Sequence, residues 1–264
     1  MIGHEEIVRT AELLCEAEYA IALTGAGIST PSGIPDFRTP DSGLWEKENP
    51  LEVASIFAFR HHPRAFYDWV RPLVKRMVAA QPNPGHKALA KMERAGCLQA
   101  IITQNIDGLH QEAGSEEVLE IHGHVREATC MDCHRSFSAT ELLEDLLVIE
   151  RLPHCPDCDG ILKPDVVLFG ERLPPRVLDT AMEHVQQADL MLVAGSSLEV
   201  APVSRFPMDV YRNTGHLIVV NLTPTYVDDV ADVVIHDDVA EALPHVAKLC
   251  TKKKRTEKNR GEDL

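Results

Sequence analysis

Four of the seven cysteines stand in two C-x-x-C pairs, Cys130-Met-Asp-Cys133 and Cys155-Pro-Asp-Cys158, with 21 residues between them. Such a turn sets two thiolates on one edge of a tetrahedron with backbone amides near the sulfurs, and two turns complete the shell that Zn2+ prefers. Four thiolates leave no position open for water or substrate, so the predicted zinc site is structural. The alternatives are a redox dithiol, or a ligand set in which His134 or His154 replaces a neighbouring thiolate. Cys15, Cys97 and Cys250 are isolated, and a chain of this length with no export signal does not suggest a disulfide framework.

A second group of residues suits phosphate and sugar. Gly25-Ala26-Gly27-Ile28-Ser29 follows the apolar run Tyr19–Thr24, where glycines permit a tight turn and close approach of backbone amides to phosphate. Thr30 stands where a dinucleotide fingerprint has its third glycine, so a plain strand-to-loop turn stays open. Gly33 and Pro35 stop a regular helix, which leaves Asp36, Phe37 and Arg38 on a loop beside that turn. Thr103-Gln104-Asn105-Ile106-Asp107 follows another apolar run and falls where open α/β sheets bind ligands, or is a simple cap. His122, in Glu120-Ile121-His122-Gly123 and one of thirteen histidines, is either a general base or a structural residue.

These residues need strands to carry them. Short continuous apolar runs recur at Leu98–Thr103, Leu190–Ala194, Leu217–Val220 and Val233–Ile235, near helical patterns at 84–95, 175–188, 201–213 and 239–250. Runs apolar on both faces predict a doubly wound, mostly parallel Rossmann-like sheet. Two segments interrupt it: an aromatic-rich stretch at 40–80, predicted as a helical insertion, and the cysteine-bearing module at 124–165. The expected organisation is a discontinuous nucleotide-binding domain over 1–39, 81–123 and 166–250, these two insertions, and a charged, disordered tail at 251–264.

The chain has 264 residues, 26 basic against 41 acidic, for a net charge of −15. Six of the basic and three of the acidic residues lie in the tail, leaving −18 on the first 250. That balance argues against generic nucleic-acid binding, which needs a basic face. No stretch reaches the ~20 apolar residues of a membrane span, and the start lacks the regions of a signal peptide, so a cytoplasmic location is expected.

Taken together, Gly25-Ala-Gly-Ile-Ser-x-x-Ser-Gly-Ile-Pro-Asp-Phe-Arg38, Thr103-Gln-Asn-Ile-Asp107, Ile121-His-Gly123, the paired cysteines, Val167-Leu-Phe-Gly-Glu171, Gly195-Ser-Ser197 and Val219-Val-Asn221 resemble the sirtuins in order and approximate spacing over residues 20–240. The resemblance implies an NAD-dependent protein lysine deacetylase that yields nicotinamide, O-acetyl-ADP-ribose and deacetylated lysine. It implies NAD as co-substrate and acetylated-lysine proteins or peptides as partners. Gly25, Ala26, Gly27, Thr30, Asp36 and Arg38 would then line the phosphate and ribose region. Phe37, Ile106 and Asp107 would form the nicotinamide pocket, with Gln104 and Asn105 on the ribose and an ordered water. His122 would be the base, with Asn105 as the second catalytic residue. Val167, Phe169 and Gly170 would meet the substrate lysine, and Gly195, Ser196, Ser197, Asn221 and Val239 the adenosine end. Family members that prefer succinyl or malonyl lysine carry Tyr-x-x-Arg, and here Tyr67 is followed three residues later by Val70, with Arg71 one step further round, so neutral acyl groups are expected. The alternatives are mono-ADP-ribosyl transfer and a non-catalytic module that binds NAD or acyl-lysine.

Overall fold

The computed structural model describes residues 3–36 and 49–262. The predicted residues Phe37 and Arg38, and the first part of the 40–80 insertion, lie outside them. After α1 (His4–Glu16) and β1 (Ala20–Thr24) come two short 3-10 turns, Ala26–Ile28 and Thr30–Ser32. Beyond Asn49 follow α2 (Pro50–Val53), α3 (Ile56–His61), α4 (Pro63–Ala79), α5 (Pro84–Arg94), β2 (Ala100–Thr103), α6 (Leu109–Glu112) and β3 (Val118–Glu120). A small unit then holds β4 (Gly123–Cys130), β5 (Ser136–Ser138), α7 (Leu143–Leu147) and β6 (Leu162–Val166). The chain continues through α8 (Pro175–Gln187), β7 (Leu190–Ala194), α9 (Phe206–Arg212), β8 (His216–Val220) and β9 (Val233–Ile235) into α10 (Val239–Glu262).

Six strands form one parallel sheet in the order β3-β2-β1-β7-β8-β9. From β1 the chain steps outward to β2 and β3, then returns to the other side of β1 with β7. Between β1 and β7 the order reverses, and such a switch point opens a crevice at the carboxyl ends of the strands. Every residue of β1 and β7 is buried. Alternate residues explain why: Ala20, Ala22, Leu190, Leu192 and Ile218 pack on the side of α1, α5 and α10, whereas Ile21, Leu23, Met191, Val193 and Leu217 pack on the side of α8 and α9. Helices on both faces are what the continuous apolar runs predicted.

The small unit is an antiparallel sheet in the order β5-β4-β6. Its Val166, with Leu146 of α7, shares a core with Phe59 of α3 and Phe66, Tyr67, Val70 and Leu73 of α4. Phe59 and Phe66 meet edge to face with centroids 5.1 Å apart, a favourable aromatic geometry. The two predicted insertions are therefore separate in sequence but packed on one core.

Two expectations need correcting. The helix predicted over 201–213 is a 3-10 turn at Val203–Arg205 followed by α9, because Pro207 lacks an amide proton and is accommodated in the first turn of a helix. The tail predicted as disordered is helical to Glu262, since α10 runs on through a lysine-rich stretch of good helix formers. Lys253 also reaches Glu16 of α1 at 3.7 Å. Among the described residues no helix is long and apolar enough to cross a membrane.

Leu192 is fully buried in the middle of β7. Leu192→Ala is expected to lower stability by about 2–5 kcal/mol, read as a lower urea midpoint at unchanged slope.

Candidate active site and metal centre

The sheet register aligns Thr24, Thr103 and Ala194, and beyond them Glu120 and Val220, at one edge. The residues that follow each strand therefore emerge side by side: Gly25, Gln104, Gly195, Ile121 and Asn221. The turns after β1 and β7 touch, with the Gly27 amide donating to the Gly195 carbonyl at 2.9 Å. Gly195 has φ +63°, and a Cβ there would lie 2.3 Å from the Ile28 nitrogen. A Cβ on Gly27 would stand 2.9 Å from the Gly195 oxygen, and one on Gly25 3.0 Å from that oxygen. The glycines are required by the contact between these two turns, which also keeps backbone rather than side chains at the mouth of the crevice.

Behind the turns lies a buried polar chain. Asn105 donates through Nδ2 to the Gly25 carbonyl at 3.0 Å and to Ser29 Oγ at 3.1 Å. Ser29, 1% exposed, donates to Asp107 Oδ2 at 2.7 Å, and the other carboxylate oxygen accepts the Leu109 amide at 3.0 Å. Burial pushes the Asp107 carboxyl above its ordinary range, while those two donors act in the opposite direction. His86 Nε2 lies 3.4 Å from Ser29 Oγ, whose own proton goes to Asp107, so His86 is the donor there. Likewise His110 Nε2 donates to Thr24 Oγ1 at 2.9 Å, because Thr24 gives its proton to Thr103. Burial lowers His86 to about 4 and His110 well below its ordinary value, so both are neutral. Asn83 caps α5 by accepting the Gly85 amide at 2.8 Å and donates to the Ile28 carbonyl at 2.7 Å.

His122 follows β3, and its Nδ1–H donates to the Gln104 carbonyl at 3.0 Å. That bond fixes the tautomer and leaves Nε2 as the acceptor. Burial lowers its pKa from the ordinary histidine value, and the bond to Gln104 opposes the shift in part. The Gln104 side chain donates to Ser196 Oγ at 2.9 Å, tying the β2 end to the β7 turn. The Val167 amide donates to the His122 carbonyl at 2.8 Å, so the segment after β6 is held against the histidine.

The structure thus brings Gly25, Ala26, Gly27, Gln104, Asn105, Asp107, His122, Gly195 and Ser196 into one cluster. The Thr30 hydroxyl donates back to the Gly27 carbonyl at 3.0 Å. The Asn221 amide donates to the Thr223 carbonyl at 2.7 Å, and Val239 opens α10 in a buried position. Ser197 and Asp36 are half-buried. Residues 167–171 differ from a regular strand: β6 ends at Val166, a single bridge joins Phe169 to Ser55, and Gly170 turns the chain at φ +87°. Ile106 lines a narrow apolar cavity of about 60 Å3 with Phe66, Tyr67, Val70, Val125 and Val166. Sequence reasoning missed His86, His110 and Asn83. The Asn-Pro step before α5 is a helix-start signal that points to Asn83, whereas the two histidines carry no local signal.

The four cysteine sulfurs lie within 4.8 Å of one another, with Cys130 and Cys158 at 3.5 Å and Cys133 and Cys155 at 3.7 Å. A tetrahedron with ~2.3 Å zinc–sulfur bonds has edges of roughly 3.8 Å, so the residues fit the ion. A Cβ on Gly160 would come 2.8 Å from Cys130 Sγ, which keeps that side of the sulfur clear. His154 is occupied by the Asp159 carbonyl at 2.7 Å, and among the described residues the ligand group consists of the four cysteines.

A glycine-walled crevice at a sheet switch point, with amide, hydroxyl and carboxylate groups at its edge, fits a dinucleotide and defines a nucleotide-binding α/β protein with a thiolate metal module. The Sir2 family model matches residues 25–202. The NAD-dependent protein deacetylase of Sulfolobus acidocaldarius is 47% identical over 242 residues, 92% of this chain and 94% of that protein. The NAD-dependent protein deacylase 2 of Archaeoglobus fulgidus is 44% identical over 255 residues, 96% of this chain and 99% of that one. A Sir2 structure with a deacetylated p53 peptide and 3'-O-acetyl ADP ribose aligns with a TM-score of 0.88 at 40% identity, covering 93% of this chain and 98% of that one. The chain belongs to the Sir2 family.

Cys155→Ser is expected to release the zinc and loosen the core shared by α3, α4 and β6. Metal content by atomic absorption together with faster proteolytic cleavage within 124–165 checks this; full metal retention would contradict the tetrahedral assignment.

Proposed function

We propose that the protein removes acetyl and other neutral acyl groups from lysine side chains of proteins, consuming NAD. The observation that carries this reading is His122, whose Nδ1–H is committed to the Gln104 carbonyl so that a neutral Nε2 is the acceptor at the crevice edge. NAD, when bound, supplies the sugar carbon that receives the acyl oxygen as nicotinamide departs. The chain's own contribution is to bind, orient and move a proton. Gln104 and Ser196 join the two turns that would hold the ribose. Asn105 and Asp107, fixed through Ser29, present an amide and a carboxylate beside it. His122 takes up the proton of a ribose hydroxyl, a general-base role worth about 10²–10⁴ in rate. The substrate lysine enters beside Val167 and Phe169, next to His122.

His122→Ala is expected to reduce deacetylation by at least 10²-fold, measured as deacetylated peptide and nicotinamide released in equal amounts. Nicotinamide without deacetylated peptide would instead identify ADP-ribosyl transfer. Because burial lowers the His122 pKa, the neutral base persists into more acidic solution than a free imidazole of pKa about 6.5. The acidic limb of kcat/KM should therefore lie below that value and be absent from the residual activity of H122A; a limb above it would remove His122 from the role.

Acyl preference follows from groups already engaged. The Tyr67 hydroxyl donates to the Leu162 carbonyl at 2.5 Å, and burial raises its pKa. Arg71 donates to the Leu146 carbonyl at 2.8 Å and to Asp68 at 3.0 Å. Val70 lines the apolar cavity. A carboxylate-bearing acyl chain would meet apolar surface and a phenol whose proton is in use, a costly desolvation. On one peptide sequence, acetyl-lysine should be turned over faster than succinyl-lysine; the opposite order would refute the preference.

A further inference from the structure

The three remaining cysteines, scattered in sequence, converge. Cys15 lies in the last turn of α1, Cys97 just ahead of β2 and Cys250 in α10, and their sulfurs all fall within 4.8 Å of one another. Their exposures are 8%, 2% and 0%. Leu14, Leu98, Val246 and Ala247 belong to the surrounding core, and the Cys15 and Cys250 thiols donate to the carbonyls of Cys250 at 3.7 Å and Ala11 at 3.8 Å, bonds that metal binding would replace. Among the described residues no histidine or carboxylate joins the three. Buried cysteines often act as small apolar side chains, but packing alone does not require three sulfurs from three elements to meet.

We propose that Cys15, Cys97 and Cys250 form a second metal site, a three-coordinate thiolate site for a soft monovalent cation of the Cu(I) class. Three soft ligands without a fourth suit such an ion, whereas Zn2+ in a structural site takes four. Binding exchanges three thiol protons, released to solvent, for three sulfur–metal bonds; no electron is transferred. The product carries two negative charges, and Lys253 and Lys254 lie one turn along α10 from Cys250. Cys15 and Cys97 precede β1 and β2, so the site lies at the amino edge of the sheet, opposite His122 and apart from the zinc module. It would clamp α1 and α10 together, and any ligand held only by the folded state raises its stability.

The test uses the zinc-loaded full chain, titrated anaerobically with Cu(I) against bicinchoninate. The expected result is one copper per chain with zinc retained, three sulfur scatterers by X-ray absorption, and a raised thermal midpoint. Cys97→Ala should lose the copper while keeping its zinc and its deacetylase activity, and Cys15→Ser should do the same. Should a variant fail to fold, the zinc content and sulfur count of the copper-loaded parent decide. Copper taken up with loss of an equivalent of zinc, two sulfur scatterers or none, or unchanged binding by a folded C97A would each overturn the site.

Discussion

The contact between the turn after β1 and the turn after β7 is the constraint on which the site depends. At the switch point two strand ends must diverge to open a crevice, yet here they are stitched together at their bases by the Gly27 amide and the Gly195 carbonyl. That contact tolerates no Cβ at Gly195, and little at Gly25 or Gly27. Once the turns are fixed, Asn105 can reach Gly25 and Ser29, Gln104 can reach Ser196, and the Gln104 carbonyl is set to receive His122. A backbone contact of one hydrogen bond thus positions side chains from four strand ends. Its effect is geometric more than energetic, since one such bond contributes only about 0.5–1.5 kcal/mol net.

The metal module supports that arrangement from the side. A closed thiolate shell does no chemistry, but it holds β4 to the residues leading into β6, and β6 ends where Val167 pairs with His122. The module is too small to bury its own apolar face. It completes that face with Phe59, Phe66 and Tyr67, so the helical insertion and the metal unit stabilise one another. The paired cysteines are therefore scaffolding for the histidine, through a strand and a shared core.

How much was legible in the sequence follows from the range of each interaction. Strand runs such as Leu190–Ala194 declare themselves because both faces are buried, and the metal ligands because C-x-x-C spacing is local. His86 and His110 were not legible: their partners Ser29 and Thr24 lie 57 and 86 residues away, and no pattern near either marks them. The same holds for Cys15, Cys97 and Cys250, which look isolated until α1 and α10 pack together. The fate of the tail turned on context too, because high helix propensity continues a helix that the core has already begun, whereas charge composition alone suggests disorder.

The neutral histidine pair shows how the interior and the site are joined. The rings of His86 and His110 meet at 4.9 Å, and each uses Nε2–H to hold a hydroxyl that orients the next group. Protonating either ring would place a cation beside the other in a dry interior, a state that burial opposes. Their folded pKa values therefore lie below the ~6.5 of an unfolded histidine, and as pH falls through 6.5 the unfolded chain takes up protons that the folded chain refuses. Stability contributed by the pair is full above that value and declines toward acid, with His86 resisting until about pH 4. Ser29 is bonded to His86, Asp107 and Asn105, so a charge forced onto His86 falls beside the hydroxyl that orients the carboxylate and the amide. Loss of proton acceptance at His122 and the charging of the histidine pair behind the glycine turns thus fall on the same side of neutrality, through separate groups.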